Sequence, residues 1–287
     1  MDTENTFKKK KKGKSFLQKA KKFGKQGQRG RGTEIDQDQY DYLVRVLERW
    51  REGFENDEEK KIFVGNVMDT TDGNERLLAG NQLGSRVIEM LLPEAEAEVV
   101  EKFCSALSQD LRLVCLDSFM SHVLEKLLIL RSFVKSDSQV STDKSSSEWL
   151  LKVCKFVINN TEDFCNDVYA SHLVRTCTEC LTGQRYKMEA NNQARTVGYD
   201  DKTVWTFANN EDTVNDCDEV LEIFTNRLVG LSAENIASEL CVRVINVFCH
   251  LGSAKTKHQP LVRKFILHLL ETVLSAGVDV EDTNIVR

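Results

Sequence analysis

Three stretches of the sequence align without gaps: AGNQLGSRVIEMLL at residues 79–92, CLDSFMSHVLEKLL at residues 115–128 and CNDVYASHLVRTCT at residues 165–178. Each has a serine at its seventh position and apolar residues at spacings of three and four, the pattern of a helix with one buried face. A weaker copy, SELCVRVINVFC at residues 238–249, has Val242 at the serine position. Repeated helical units that bury their apolar faces against each other predict an all-α, curved α-solenoid.

The intervals between the copies grow along the chain. Successive shared serines lie 36 and 50 residues apart, and the third interval, which ends at Val242, is 71 residues. The extra residues coincide with the polar segments 136–147 and 183–215, whose composition disfavours a helix. Because solenoids tolerate insertions between their repeats, we predict loop insertions at both segments.

The charge is distributed unevenly. Residues 1–32 have a net charge of about +10, whereas the whole chain has a net charge of −6. Low apolar content and self-repulsion predict that residues 1–33 form a disordered basic tail, leaving residues 34–287 for the repeats. The first helix of the folded part is predicted over residues 37–54, from one apolar face formed by Tyr40, Leu43, Val44, Leu47, Trp50 and Phe54.

The nine cysteines are interpreted as small core residues, because no secretory signal precedes them and most lie at apolar positions of helical patterns. Cys177 and Cys180 form a C-x-x-C pair, but no second pair lies at zinc-finger spacing. No apolar run reaches the roughly 18 residues of a membrane-spanning helix. No P-loop, nucleophile elbow, dinucleotide fingerprint or H-E-x-x-H motif is present, so we expect no enzymatic activity and no cofactor.

The pattern Ser-Arg/His-x-x-Glu in the aligned stretches resembles the RNA-reading helix of pumilio (PUF) repeats. In that family, the first and fifth residues of the motif face a base edge, and the second stacks against bases. Helical geometry is compatible with this, because residues i and i+4 share one face of a helix. The resemblance implies RNA contacts by Ser85, Arg86 and Glu89 in the first copy, Ser121, His122 and Glu125 in the second, Ser171, His172 and Arg175 in the third, and Arg243 and Asn246 in the fourth.

The copies differ in how well they match the family pattern. Serine with glutamate implies guanine recognition, whereas Arg175 is expected to contact phosphate and Val242 puts edge reading by the fourth copy in doubt. Ser121 and Glu125 lie opposite the apolar stripe of their helix, so we expect them to point away from the core. We expect His122 and His172 to lie on successive helices as RNA contacts, and we expect no metal site.

The lysine-rich start, the irregular repeats and the insertions are similar to the nucleolar protein 9 family over residues 35–287. That resemblance implies a nuclear and nucleolar protein that binds single-stranded ribosomal RNA precursors during small ribosomal subunit biogenesis. It also implies proteins of the pre-ribosomal particle as partners, with no membrane association and a monomeric chain. Since four repeats and the start of a fifth are present, the sequence is expected to be an N-terminal part, an isoform or an incomplete gene model.

Two alternatives stay open. A HEAT- or armadillo-like scaffold that binds a peptide would share the solenoid architecture, and the acidic body lacks the basic footprint common in nucleic-acid binders. The two classes differ in one observable property: RNA binding requires the triplets that begin with Ser85, Ser121 and Ser171 to line up along the concave face, whereas a scaffold has no reason to align them. The basic tail is interpreted as a nucleolar address with weak RNA affinity rather than a merely solvated run.

Overall fold

The computed structural model describes residues 15–27, 29–135, 144–185, 205–207 and 211–275. The N-terminal third contains α1 (Phe16–Lys25), α2 (Gln37–Glu52), α3 (Asp57–Asp69), α4 (Glu75–Ala79), α5 (Gln82–Leu91) and α6 (Ala97–Leu107). The next helices are α7 (Leu111–Leu116), α8 (Met120–Ser132), α9 (Lys144–Asn159), α10 (Thr161–Phe164) and α11 (Ala170–Thr182). The last are α12 (Glu211–Val229), α13 (Ala233–Ala237), α14 (Glu239–Ala254) and α15 (Gln259–Ser275).

The helices form two layers. Helices α5, α8, α11 and α14, which carry the aligned stretches, pack side by side in chain order. Helices α9, α12 and α15 pack in the same order behind them. The two layers contact each other, because α9 packs against α8 and α11, α12 against α11, and α15 against α14. The Trp149 indole on α9 also donates a hydrogen bond of 3.1 Å to the Cys104 carbonyl on α6. The predicted all-α solenoid is confirmed.

The sequence did not predict two short strands. β1 (Phe133–Lys135) and β2 (Trp205–Phe207) pair antiparallel, with Phe133 opposite Phe207. β1 precedes the first predicted insertion, whereas β2 lies inside the second. Both insertions are shorter than predicted, because α9 begins at Lys144 and α12 begins at Glu211. The other inserted residues lie outside the described ranges, except for 183–185.

The predicted apolar stripes form the core. Four stripe residues of α8 are completely buried: Val123, Leu124, Leu127 and Leu128. Leu91 on α5 and Val174 on α11 are also completely buried. Eight of the nine cysteines are buried, and burial raises the pKa of the Cys115 thiol to about 12. The interpretation of the cysteines, including Cys177 and Cys180, as core residues is therefore confirmed. Among the described residues, no helix is both long and apolar enough to span a bilayer.

The predicted disorder of residues 1–33 is wrong for the part that the structure describes. Helix α1 starts with a capping box between Ser15 and Gln18 and buries Ala20 against α2, where the Tyr40 hydroxyl donates to the Ala20 carbonyl. A short apolar stripe is sufficient for this packing, although the net charge of the segment is strongly positive. Residues 1–14 lie outside the described ranges.

Asn81 attaches residues 29–33 to the start of α5. Its amide nitrogen donates to the carbonyls of Arg29 and Thr33 at 3.0 and 2.8 Å. Its amide oxygen accepts from the backbone N–H groups of Leu83 and Gly84, so it also caps the helix. The Asn81 side chain is completely buried, and all four hydrogen bonds replace water.

We predict that Asn81→Ala lowers the free energy of unfolding by about 1–3 kcal/mol, because it leaves buried donors and acceptors unpaired. Asn74→Ala is the matched control, since Asn74 precedes α4 at the equivalent cap position but is exposed and makes no side-chain cap hydrogen bond. Urea unfolding monitored by circular dichroism measures both. Equal effects of the two substitutions would contradict the assigned role of Asn81.

Candidate nucleic-acid interface

The side chains at the second and fifth positions of the Ser-Arg/His-x-x-Glu motif lie along one side of the first helix layer. We call this set the triplet row; its members are Arg86, Glu89, His122, Glu125, His172 and Arg175. On α5, Arg86 lies 3.9 Å from Glu89. On α8, His122 Nδ1 lies 3.7 Å from Glu125 Oε2, and His172 Nδ1 on α11 lies 3.2 Å from the same oxygen. The charges of Glu89 and His122 act on each other between α5 and α8, so these side chains of the three triplets lie on one side of the first layer.

The two histidines contact each other across the repeat boundary. Their imidazole rings are stacked, with centroids 4.6 Å apart and planes 13° from parallel. The His122 side chain is 47% exposed and lies on the solvent side, whereas the His172 side chain is only 11% exposed. They lie on successive helices as predicted, but the sequence did not predict that they would touch.

Glu125 is the electrostatic centre of this contact. Desolvation acts to raise its pKa, but the neighbouring imidazoles of His172 and His122 and the hydrogen bond from Thr176 hold the pKa of Glu125 well below its ordinary range. The Thr176 hydroxyl donates to Glu125 Oε1 at 2.9 Å. The neighbouring Glu125 carboxylate in turn raises the pKa of His122. The carboxylate is therefore ionised at neutral pH and favours a protonated partner.

The three serines are less accessible than predicted. Ser85, Ser121 and Ser171 are all buried, and Ser121 is completely so. The Ser121 Oγ lies 3.4 Å from His172 Nε2, so the following repeat covers the first turn of α8. The expectation that Ser121 points freely away from the core is wrong, because a helix face opposite the stripe can still be covered by a neighbouring helix. Contact of these serines with RNA stays a prediction.

The row extends at both ends. On α14, Arg243 and Asn246 are exposed, and the positive charge of Arg243 repels that of Arg175. Burial lowers the pKa of Arg175, whose Nε has no hydrogen-bond partner among the described residues. At the other end, the Arg86 guanidinium lies over the Phe16 ring on α1 at 5.7 Å. Phe16 was not among the predicted contacts, although the S-x-x-Q capping box at Ser15 indicates the start of its helix.

Comparisons with known proteins show that the solenoid has a pumilio-type fold. Among solved structures, the RNA-binding domain of yeast Puf5p bound to SMX2 RNA has a TM-score of 0.56 at 12% identity. That similarity covers 88% of this chain and 58% of the Puf5p chain. At this identity, the likeness establishes the fold alone.

More particularly, residues 73–213 match the family model described as the NOP9-like PUF repeat domain. Human nucleolar protein 9 is 26% identical over 247 residues, which cover 81% of this chain and 38% of the human protein. Pumilio homolog 23 of Arabidopsis thaliana is 25% identical over 142 residues, or 50% of this chain and 19% of that protein. The chain thus spans about two fifths of the length of the human relative.

We predict that Glu125→Gln destabilises the fold most between pH 4.5 and 6.5. Because the pKa of Glu125 is lowered in the folded state, its contribution to the free energy of unfolding is complete above the ordinary glutamate pKa of 4.5. That contribution is lost as pH falls through the folded-state pKa. Because the pKa of His122 is raised in the folded state, its contribution to the free energy of unfolding is complete below the ordinary histidine pKa of 6.5. That contribution is lost as pH rises through the folded-state pKa. Because His122 is half-exposed, the expected loss is about 1 kcal/mol.

Glu89→Gln is the matched control, because the pKa of Glu89 is raised, chiefly by desolvation, whereas the pKa of Glu125 is lowered. Thermal unfolding of both variants across this pH range distinguishes them. A pH-independent loss in Glu125→Gln would show that the carboxylate contributes packing rather than charge.

Proposed function

We propose that this chain binds single-stranded RNA along the triplet row and acts on ribosomal RNA precursors in small ribosomal subunit biogenesis. The observation that supports this most directly is the alignment of three triplets on successive helices of one layer. Their polar side chains contact each other between helices α8 and α11. A peptide-binding scaffold does not require this alignment, whereas a strand of bases read one per repeat does.

The side chains of the row have the chemistry that single-stranded RNA requires. Planar groups at Arg86, His122 and His172 offer faces on which bases stack. Ionised Glu125 can accept hydrogen bonds from the N–H groups of a guanine edge. Arg175 and Arg243 supply positive charge for phosphates, which position the strand without reading its sequence. Binding, rather than catalysis, is therefore the proposed activity.

The histidine stack must open for a base to enter between these two repeats. A base between two rings needs about 7–8 Å between them, since stacked atoms lie about 3.5–4.0 Å apart. The observed centroid separation is 4.6 Å. The exposed His122 is the ring that moves, because His172 is almost buried and lies against Ser121 and Glu125 of the second repeat. We thus expect the second repeat to bind a base only after His122 turns outward.

The lysine run at residues 8–12 supports a nuclear and nucleolar location, as do the names of the relatives. In this proposal the chain is a monomer that joins pre-ribosomal particles through RNA and through their proteins. The lysines add nonspecific attraction to phosphate, which weakens as salt concentration rises.

We predict that Arg86→Ala and His122→Ala each weaken binding to a guanine-containing single-stranded RNA. The expected loss is about 1–3 kcal/mol for one stacked base, or roughly 5- to 150-fold in affinity. Arg112→Ala on α7 and His268→Ala on α15 are matched controls outside the triplet row. Fluorescence anisotropy with labelled RNA measures all four variants.

The comparison among these variants decides the proposal. Control variants should bind like the parent, and circular dichroism should show the same helical content for all. If the row variants bind RNA as tightly as the parent, base stacking by the row is refuted and a peptide-binding scaffold becomes the better interpretation.

A further inference from the structure

Three potential metal ligands converge at the boundary between the second and third repeats. His122 Nδ1, Glu125 Oε2 and His172 Nδ1 lie within 4.8 Å of one another. We propose that these residues form a binding site for a divalent transition metal ion of the Zn²⁺ type. The site lies on the triplet row, and its consequence for RNA rests on the function proposed above.

The distances fit such an ion. Nitrogen and oxygen ligands at about 2.0–2.1 Å in a tetrahedron lie about 3.3 Å from each other. Glu125 Oε2 lies 3.2 Å from His172 Nδ1 and 3.7 Å from His122 Nδ1. One ligand pair therefore already has the required separation, and only the His122 ring must rotate out of the stack. Its 47% exposure leaves room for that rotation.

The hydrogen bonding of His172 is suited to metal coordination. His172 Nδ1 is buried and makes no hydrogen bond among the described residues, while its Nε2 lies 3.4 Å from the Ser121 hydroxyl oxygen. An Nε2–H donated to Ser121 leaves the lone pair of Nδ1 free for a metal, which is the usual arrangement of ligating histidines. This interaction also gives the buried Ser121 a positioning role.

The carboxylate is oriented in the same way. Thr176 donates to Glu125 Oε1, so Oε2 is the oxygen that faces both imidazoles. A hydrogen-bonded ligand carboxylate of this kind is held in one orientation. The charge of Glu89 acts on His122 and favours a cation there, whereas Arg86 opposes it. Two neutral histidines and one carboxylate leave a fourth position open for water.

Metal binding and RNA binding exclude each other at this site. The ion would take the lone pairs of two proposed stacking residues and the oxygen of one proposed edge-reading residue. It would also lock His122 in place, although we expect that ring to turn outward when a base enters. A bound ion therefore weakens RNA binding at the second repeat.

Isothermal titration of the full chain with Zn²⁺, in the absence of RNA, tests the site. We expect one ion per chain in the parent and at least a tenfold weaker affinity in His122→Ala and Glu125→Gln. His268→Ala controls for a histidine elsewhere, and Thr176→Val should weaken binding while keeping all three ligands. Because His122 is exposed, His122→Ala keeps the fold even if His172→Ala does not.

The outcomes are distinct. No Zn²⁺ binding by the parent, or equal binding by the parent and His122→Ala, overturns the proposed site. Titrating RNA with and without Zn²⁺ then examines the competition: equal RNA affinity in both overturns mutual exclusion. Failure of the metal-free chain to bind any RNA contradicts the proposed function instead, and the titration without RNA still decides the metal site.

Discussion

The structure depends on the burial of one apolar stripe per repeat between neighbouring helices. In α8, four consecutive stripe residues are completely removed from solvent. Each such side chain contributes about 1.5–3 kcal/mol of transfer free energy, which no isolated helix of this length could obtain. Since the stripe has the same offset from the serine in the first two copies, stacking by this stripe fixes the rotation of each helix. The polar residues of the triplets are thereby placed in register on one side.

That constraint couples neighbouring repeats through polar contacts as well. Thr176 and His172 of the third repeat both interact with Glu125 of the second. The triplet row is therefore held by interactions between repeats, and these interactions must change when a ligand enters. The Asn81 contacts extend the same principle to the N-terminus, where residues 29–33 are held against α5. An RNA strand and a metal ion would draw on the same side chains in different positions.

Periodicity in the sequence was sufficient to predict the helices, the stripe residues and the surface on which the triplets lie. It was not sufficient for features that depend on lateral offset between helices. The separation of 50 residues between His122 and His172 carries no information about ring contact, and the pattern around Ser121 does not reveal that α11 covers it. Net charge concealed α1, whose few apolar residues pack against α2. The strands β1 and β2 are too short to show alternation.

The proposed function depends on single-stranded RNA lying along the triplet row. Ultraviolet crosslinking of the full chain to RNA, followed by mass spectrometry of the crosslinked peptides, measures this most directly. We expect crosslinks in peptides that contain Arg86, His122 and His172, and their loss when unlabelled RNA competes. Crosslinks confined to residues 1–14, with none on α5, α8 or α11, would contradict it, because RNA would then bind the lysine run alone.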